Sequence, residues 1–113
     1  MRYICAVVAL VASPVAAGDW RALNGEGIRE ALTDRAVVYE GAWQRFFASG
    51  RTLYNAGQDS WGTWDVRGEQ YCSQWPPNSA WSCYTVDVSG DGSAVRFRGF
   101  GDDVSVGRFE DDT

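Results

Sequence analysis

The sequence predicts a mainly β protein with one short N-terminal helix. Its strands should form a curled antiparallel sheet or a small seven- to eight-stranded barrel carrying one disulfide. Three observations carry that expectation. Short β-prone runs recur down the chain with turn glycines about every 8–12 residues. Only one segment has helical periodicity. Cys72 and Cys83 sit among closely spaced aromatics on either side of Pro76-Pro77-Asn78.

At the N-terminus, Arg2 precedes the apolar run from Tyr3 to Ala12, and Ser13-Pro14 breaks that run ahead of Val15-Ala16-Ala17. This is the layout of a secretory leader, and it predicts a signal peptide over residues 1–17 with cleavage after Ala17. The apolar run is about 10 residues where a spanning helix needs roughly 20, so no stable membrane insertion is expected. Residues 18–113 would then form a single exported β-rich domain, periplasmic or secreted. That domain carries nine arginines, no lysine and fifteen acidic residues, a formal net charge of −6 once Arg2 is removed. An acidic balance argues against nucleic acid and anionic membranes, and it permits a cationic partner.

Without the leader, Cys72 and Cys83 are the whole thiol inventory, and an even pair in an exported chain predicts one disulfide. A redox or metal-binding pair is disfavoured, because the chain has no Cys-x-x-Cys and no histidine.

The helix is expected over Leu23 to Thr33. Asn24 can cap its first N–H groups, Leu23 can meet Ile28 across that cap, and Glu26 suits the positive end of the helix dipole. Ile28, Ala31 and Leu32 form its apolar stripe. Strand-like runs follow at Ala36–Tyr39, Ala42–Ala48 and Thr52–Leu53–Tyr54, separated by Gly41 and by Ser49-Gly50. From Trp61 to Val66, alternation sets Gly62, Trp64 and Val66 on one face, which makes Trp64 the core candidate. Gly62 would let an aromatic approach the backbone or mark a bend. After Glu69 to Cys72 and the proline loop, Trp81–Val88 sets Tyr84, Val86 and Val88 against Cys83, Thr85 and Asp87. The turn Gly90-Asp91-Gly92 leads into Ala94–Arg98, where Val95 and Phe97 oppose Arg96 and Arg98. Val104–Phe109 comes last, ahead of an acidic tail.

Candidate chemistry is sparse. With neither histidine nor lysine, the usual neutral-pH base and amine nucleophile are missing. The serines lack a nucleophile elbow, and no phosphate-binding glycine loop occurs. Catalysis would have to rest on carboxylates such as Glu40, Asp65, Glu69 or Asp87, so a carboxylate-dependent hydrolase is the third functional option. Asp87 to Ser93 and Asp102-Asp103 have oxygen ligands but not the spacing of a calcium loop, and they are expected to be turn residues. No catalytic residue, metal site or cofactor is assigned.

Binding is the better-supported class. Trp61, Trp75, Trp81 and Tyr84 flank the proline loop, where they would either pack over the disulfide or line a barrel mouth and contact a sugar, a small apolar molecule or a protein. Arg96 and Arg98 share a face and would engage an acid or pair with nearby aspartates.

Taken together, Leu23-Asn24-Gly25, Arg51-Thr52-Leu53-Tyr54, Gly62-Thr63-Trp64-Asp65-Val66 and Gln70-Tyr71-Cys72-Ser73-Gln74-Trp75 with Cys83-Tyr84 resemble a family of small exported proteobacterial proteins of unknown function, marked by Gly-x-Trp and Cys-x-x-Trp…Cys elements. The resemblance implies an exported β-rich domain with a paired cysteine and supplies no catalytic residues. The expected function is that of a periplasmic or secreted binding or interaction protein. The alternative is an inhibitor of an envelope-directed hydrolase such as lysozyme, to which an acidic surface is suited.

Overall fold

Strict inside–outside alternation runs through the strands of this chain, and eight of them close on themselves. The computed structural model describes residues 19–110. The expected leader and the end of the acidic tail lie outside that range. In order, the elements are β1 (Trp20–Ala22), α1 (Gly25–Leu32), β2 (Arg35–Tyr39), β3 (Ala42–Phe46), β4 (Arg51–Asn55), β5 (Asp59–Arg67), β6 (Gln70–Gln74), β7 (Trp81–Ser89), β8 (Ala94–Arg98) and β9 (Val104–Phe109).

From β2 to β9 each strand pairs antiparallel with the next, and β9 returns to β2 through Arg108↔Val38 and Phe109↔Val37. The result is an eight-stranded up-and-down antiparallel barrel, which leaves none of these eight strands as a free sheet edge. The short β1, not foreseen from the sequence, pairs with the end of β7 at Trp20↔Ser89 and Ala22↔Asp87.

One end of the barrel is plugged by α1. Asn24 Oδ1 accepts from the Gly27 amide at 2.8 Å, as an N-cap should, and the Glu69 carboxylate accepts from the Gly25 amide at 2.7 Å. Gly25 is required here because a Cβ would collide with the Gly68 carbonyl of the β5–β6 turn. The helix ends at Thr33, whose amide and hydroxyl both donate to the Arg29 carbonyl. Asp34 then adopts a left-handed φ of 61° and turns the chain into β2.

Ile28 and Leu32, both fully buried, project from α1 into a core shared with Val37, Phe46, Trp64, Val86, Val95 and Phe97. Phe46 is its hub, edge-on to Trp64 and to Tyr71 at 5.7 Å between centroids and stacked on Phe97 at 6.3 Å. Trp64 thus takes the core position expected of it, and its indole N–H is satisfied by the Phe47 carbonyl at 2.9 Å. β3 ends at Phe46, short of the expected Ala48, because the Gly50 amide turns back to the Phe47 carbonyl.

On the outer wall, Cys72 and Cys83 face each other across β6 and β7 and form the expected disulfide. Further along β7, Asp87 is 2% exposed, and both Arg96 (2.8 Å) and Arg98 (2.7 and 3.1 Å) converge on its carboxylate. Of the two sequence-level options for this arginine pair, pairing with an aspartate is the one realised. The Arg98 guanidinium, helped by Arg96 and opposed by burial, holds the Asp87 carboxyl below the usual carboxylate range.

Two outcomes follow for stability. Replacing both cysteines by serine frees a loop closed over 11 positions and should cost roughly 2–3 kcal/mol in denaturant titration, with the barrel retained by circular dichroism. Because the Asp87 carboxyl is depressed on folding, its contribution is present above about pH 4 and is lost as pH falls through the lower folded value. Asp87→Asn should therefore lower stability at pH 7 by about 2 kcal/mol, less than a fully buried pair because both arginines are partly exposed, and the gap to wild type should narrow below pH 4.

Candidate functional site

In an up-and-down barrel successive turns alternate between ends, so the helix-plugged end also carries the β3–β4, β5–β6 and β7–β8 turns. The other end is framed by Glu40-Gly41, Ala56 to Gln58, Trp75 to Ala80 and Gly99 to Asp103. Here the inward positions no longer meet a plug, and they enclose a cavity of about 570 Å³.

The walls of the cavity are aromatic. Trp75, Tyr54, Tyr39, Phe97 and Tyr84 follow one another around it with successive centroids 6.1, 6.3, 6.4 and 6.5 Å apart. Each sits on an inward position of its strand or just past its end, and two glycines make room for them. A Cβ on Gly62 would lie 2.6 Å from the Trp75 ring, and one on Gly107 would lie 2.5 Å from Val37 and 3.0 Å from the Tyr39 ring. Gly62 therefore serves the first of the two roles expected of it, close approach of an aromatic to the strand.

The floor of the cavity is a hydrogen-bond network centred on Gln44, a buried amide inside the barrel. Its Oε1 accepts from the Tyr39 hydroxyl at 2.9 Å, and its Nε2 donates to Thr52 Oγ1 at 3.0 Å and to the Tyr71 hydroxyl at 3.2 Å. The Thr52 hydroxyl in turn donates to the Arg45 carbonyl at 2.7 Å. Trp75 Nε1 donates to Ser73 Oγ at 3.1 Å, which fixes the indole against the wall. Ser60 and Ser105, inward on β5 and β9, add hydroxyls nearer the mouth.

The phenols of Tyr39, Tyr71 and Tyr84 are held in their neutral form. Burial pushes the Tyr71 hydroxyl up to about 12 despite the opposing hydrogen bonds of Ser73 and Gln44, and burial with neighbouring phenols raises Tyr39 strongly. Tyr84 is also raised, by burial and then by the adjacent Asp103 carboxylate. Walls of this kind offer hydrogen bonds and π faces. Proton transfer at neutral pH is not chemistry that such groups supply.

Of the residues singled out from the sequence, Trp75 and Tyr84 line the cavity. Trp61 and Trp81 do not; they lie on the outer wall. Trp61 is 45% exposed, stacks on Phe47 at 5.9 Å and carries the Arg51 guanidinium 4.6 Å above its ring, over a shallow hollow of about 400 Å³. Trp81 is covered by Arg67 at 4.0 Å. Arg96 and Arg98 are held on Asp87, also outside, and Arg96 lies over Trp20 at 4.6 Å. Asp91, in the segment weighed for calcium, accepts from Ser89 Oγ, Ser93 Oγ and the Ser93 amide, which hold its carboxyl down at about 2. Among the described residues, no group of three or more His, Cys, Asp or Glu is placed to hold a metal ion, and no helix is long and apolar enough to cross a membrane.

Sequence reasoning passed over Tyr39, Gln44, Tyr54 and Tyr71. The signal was present for Gln44, which shares the inward face of β3 with Phe46 and is the polar residue in that face. Substituting Gly62→Ala should drive the Trp75 ring off the wall, moving its indole N–H resonance in NMR and costing about 1–3 kcal/mol in denaturant titration. No family model matches the chain, and neither the curated proteins nor the solved structures yield a match.

Proposed function

We propose that this is an exported binding protein that holds one small molecule inside the open end of its barrel, acting in the periplasm or after secretion. The observation that carries the proposal is the cavity itself. At about 570 Å³ it falls within the range of small-ligand sites, its walls are aromatic, and the polar groups of its floor are held by one another before any ligand arrives. A preorganised floor of this type lowers the ordering cost of binding. The ligand would be a largely apolar or ring-bearing molecule, sugars included, that stacks on tyrosine and tryptophan faces and meets hydroxyls at one end.

A second reading, inhibition of an envelope-directed hydrolase such as lysozyme, draws support from one feature. Residues 76–80 are exposed and braced from within by Gln74 Nε2 to the Ser79 carbonyl, Asn78 N to the Trp75 carbonyl and Ala80 N to Asn78 Oδ1, with Cys72–Cys83 at the base of the loop. A stiff loop of this sort can enter a partner's cleft. The same oxidised protein added to lysozyme at saturating concentration would suppress turnover on this reading and leave it unchanged on the first.

The calyx is tested with N-phenyl-1-naphthylamine, an uncharged fluorescent probe. Saturable one-to-one binding is expected, and it should weaken at least about ten-fold in Ser60→Trp and in Ser105→Trp, which fill the cavity from inward positions near the mouth. Unchanged affinity in both folded variants would rule the cavity out as the binding site.

A further inference from the structure

The four turns at the open end contain Glu40, Asp102 and Asp103 and no arginine, and Asp59 begins the strand beside them. Among the described residues, Glu40 is the one charged side chain that lines the cavity. Asp103 lies against the Tyr84 hydroxyl and the backbone of Gly99. Six arginines are instead engaged on the outer wall or at the plugged end: Arg29 and Arg67 with Asp65, Arg96 and Arg98 with Asp87, Arg51 over Trp61 and Arg35 over Phe109. A cavity with low-dielectric walls and acidic rims focuses negative potential into its mouth. An anionic ligand such as a fatty acid would meet that potential with no cation to receive its head group.

The same walls are rich in aromatic rings. Trp75, Tyr54, Tyr39, Phe97 and Tyr84 surround one space, and rings arranged this way attract a cation whose charge is spread over methyl groups. Granted that the cavity takes a small molecule, we propose that its ligand is an organic cation bearing a substituted ammonium group, caged by these five rings with Glu40 as the counter-charge at the mouth. A bare metal ion is not suited to the site, since rings and phenols offer few hard anionic ligands. A substituted ammonium is suited because it is weakly hydrated, needs no directed hydrogen bond to its nitrogen, and gains most from ring faces.

The test compares acetylcholine with its uncharged carbon isostere 3,3-dimethylbutyl acetate and with the anion 3,3-dimethylbutyrate, each titrated calorimetrically into the oxidised protein and competed against N-phenyl-1-naphthylamine. The expected order is acetylcholine tightest by about ten-fold over the isostere, with the anion weakest. Glu40→Gln should reduce the preference for the cation over the isostere several-fold. Trp75→Leu should weaken all binding. Equal or tighter binding of the isostere, or no binding of acetylcholine while the neutral probe still binds, overturns the cation assignment and leaves the calyx intact. Failure of the neutral probe as well removes both.

Discussion

Tyr71 divides this molecule in two, and its placement decides what each half of the barrel can be. Its ring belongs to the core, edge-on to Phe46 and tilted against Phe97 at 5.3 Å, while its hydroxyl belongs to the Gln44 network. A buried phenol that lacked a partner would cost about 1–3 kcal/mol, so the hydroxyl must be met by something polar inside the barrel. Gln44 meets it, and Gln44 in turn needs Tyr39 and Thr52 for its remaining groups. Below this layer, packing is apolar and sealed by Ile28 and Leu32. Above it, polar groups already line the wall, and filling the space with more core would strand them.

The strand phases were legible because they obey one rule. Trp64 and Val66 on β5, Tyr84, Val86 and Val88 on β7, and Val95 and Phe97 on β8 all point inward, as period-two alternation requires. The helix was legible through its cap, since Asn24 and the Leu23–Ile28 pair are local signals. Closure between β9 and β2 was not, because it rests on Val37 and Phe109, more than seventy positions apart, with Gly107 admitting Val37. β1 is only three residues long, and tertiary pairing with β7 overrides its weak local pattern.

The candidate site was half legible for a related reason. Clustering in sequence picked out Trp61, Trp75, Trp81 and Tyr84, but a barrel sorts residues by parity and by end rather than by proximity along the chain. Trp81 shares the outward parity of Cys83, and Trp61 that of Thr63, so both were assigned to the outer wall by alternation alone. Tyr39, Gln44 and Tyr54 come from a different stretch and meet Trp75 only because the β2–β3 and β4–β5 turns reach the same end as the proline loop.

That sorting also accounts for the arginines. A guanidinium over an outward-facing indole, as at Arg51–Trp61 and Arg67–Trp81, shields a large apolar face from water and gives the cation a partner without burying it. Outer tryptophans so covered are less available as sticky patches. The inner aromatics receive no such cover. Glu40 and Asp103 stand at the open end, and among the described residues no guanidinium lies over Trp75, Tyr54, Tyr39, Phe97 or Tyr84.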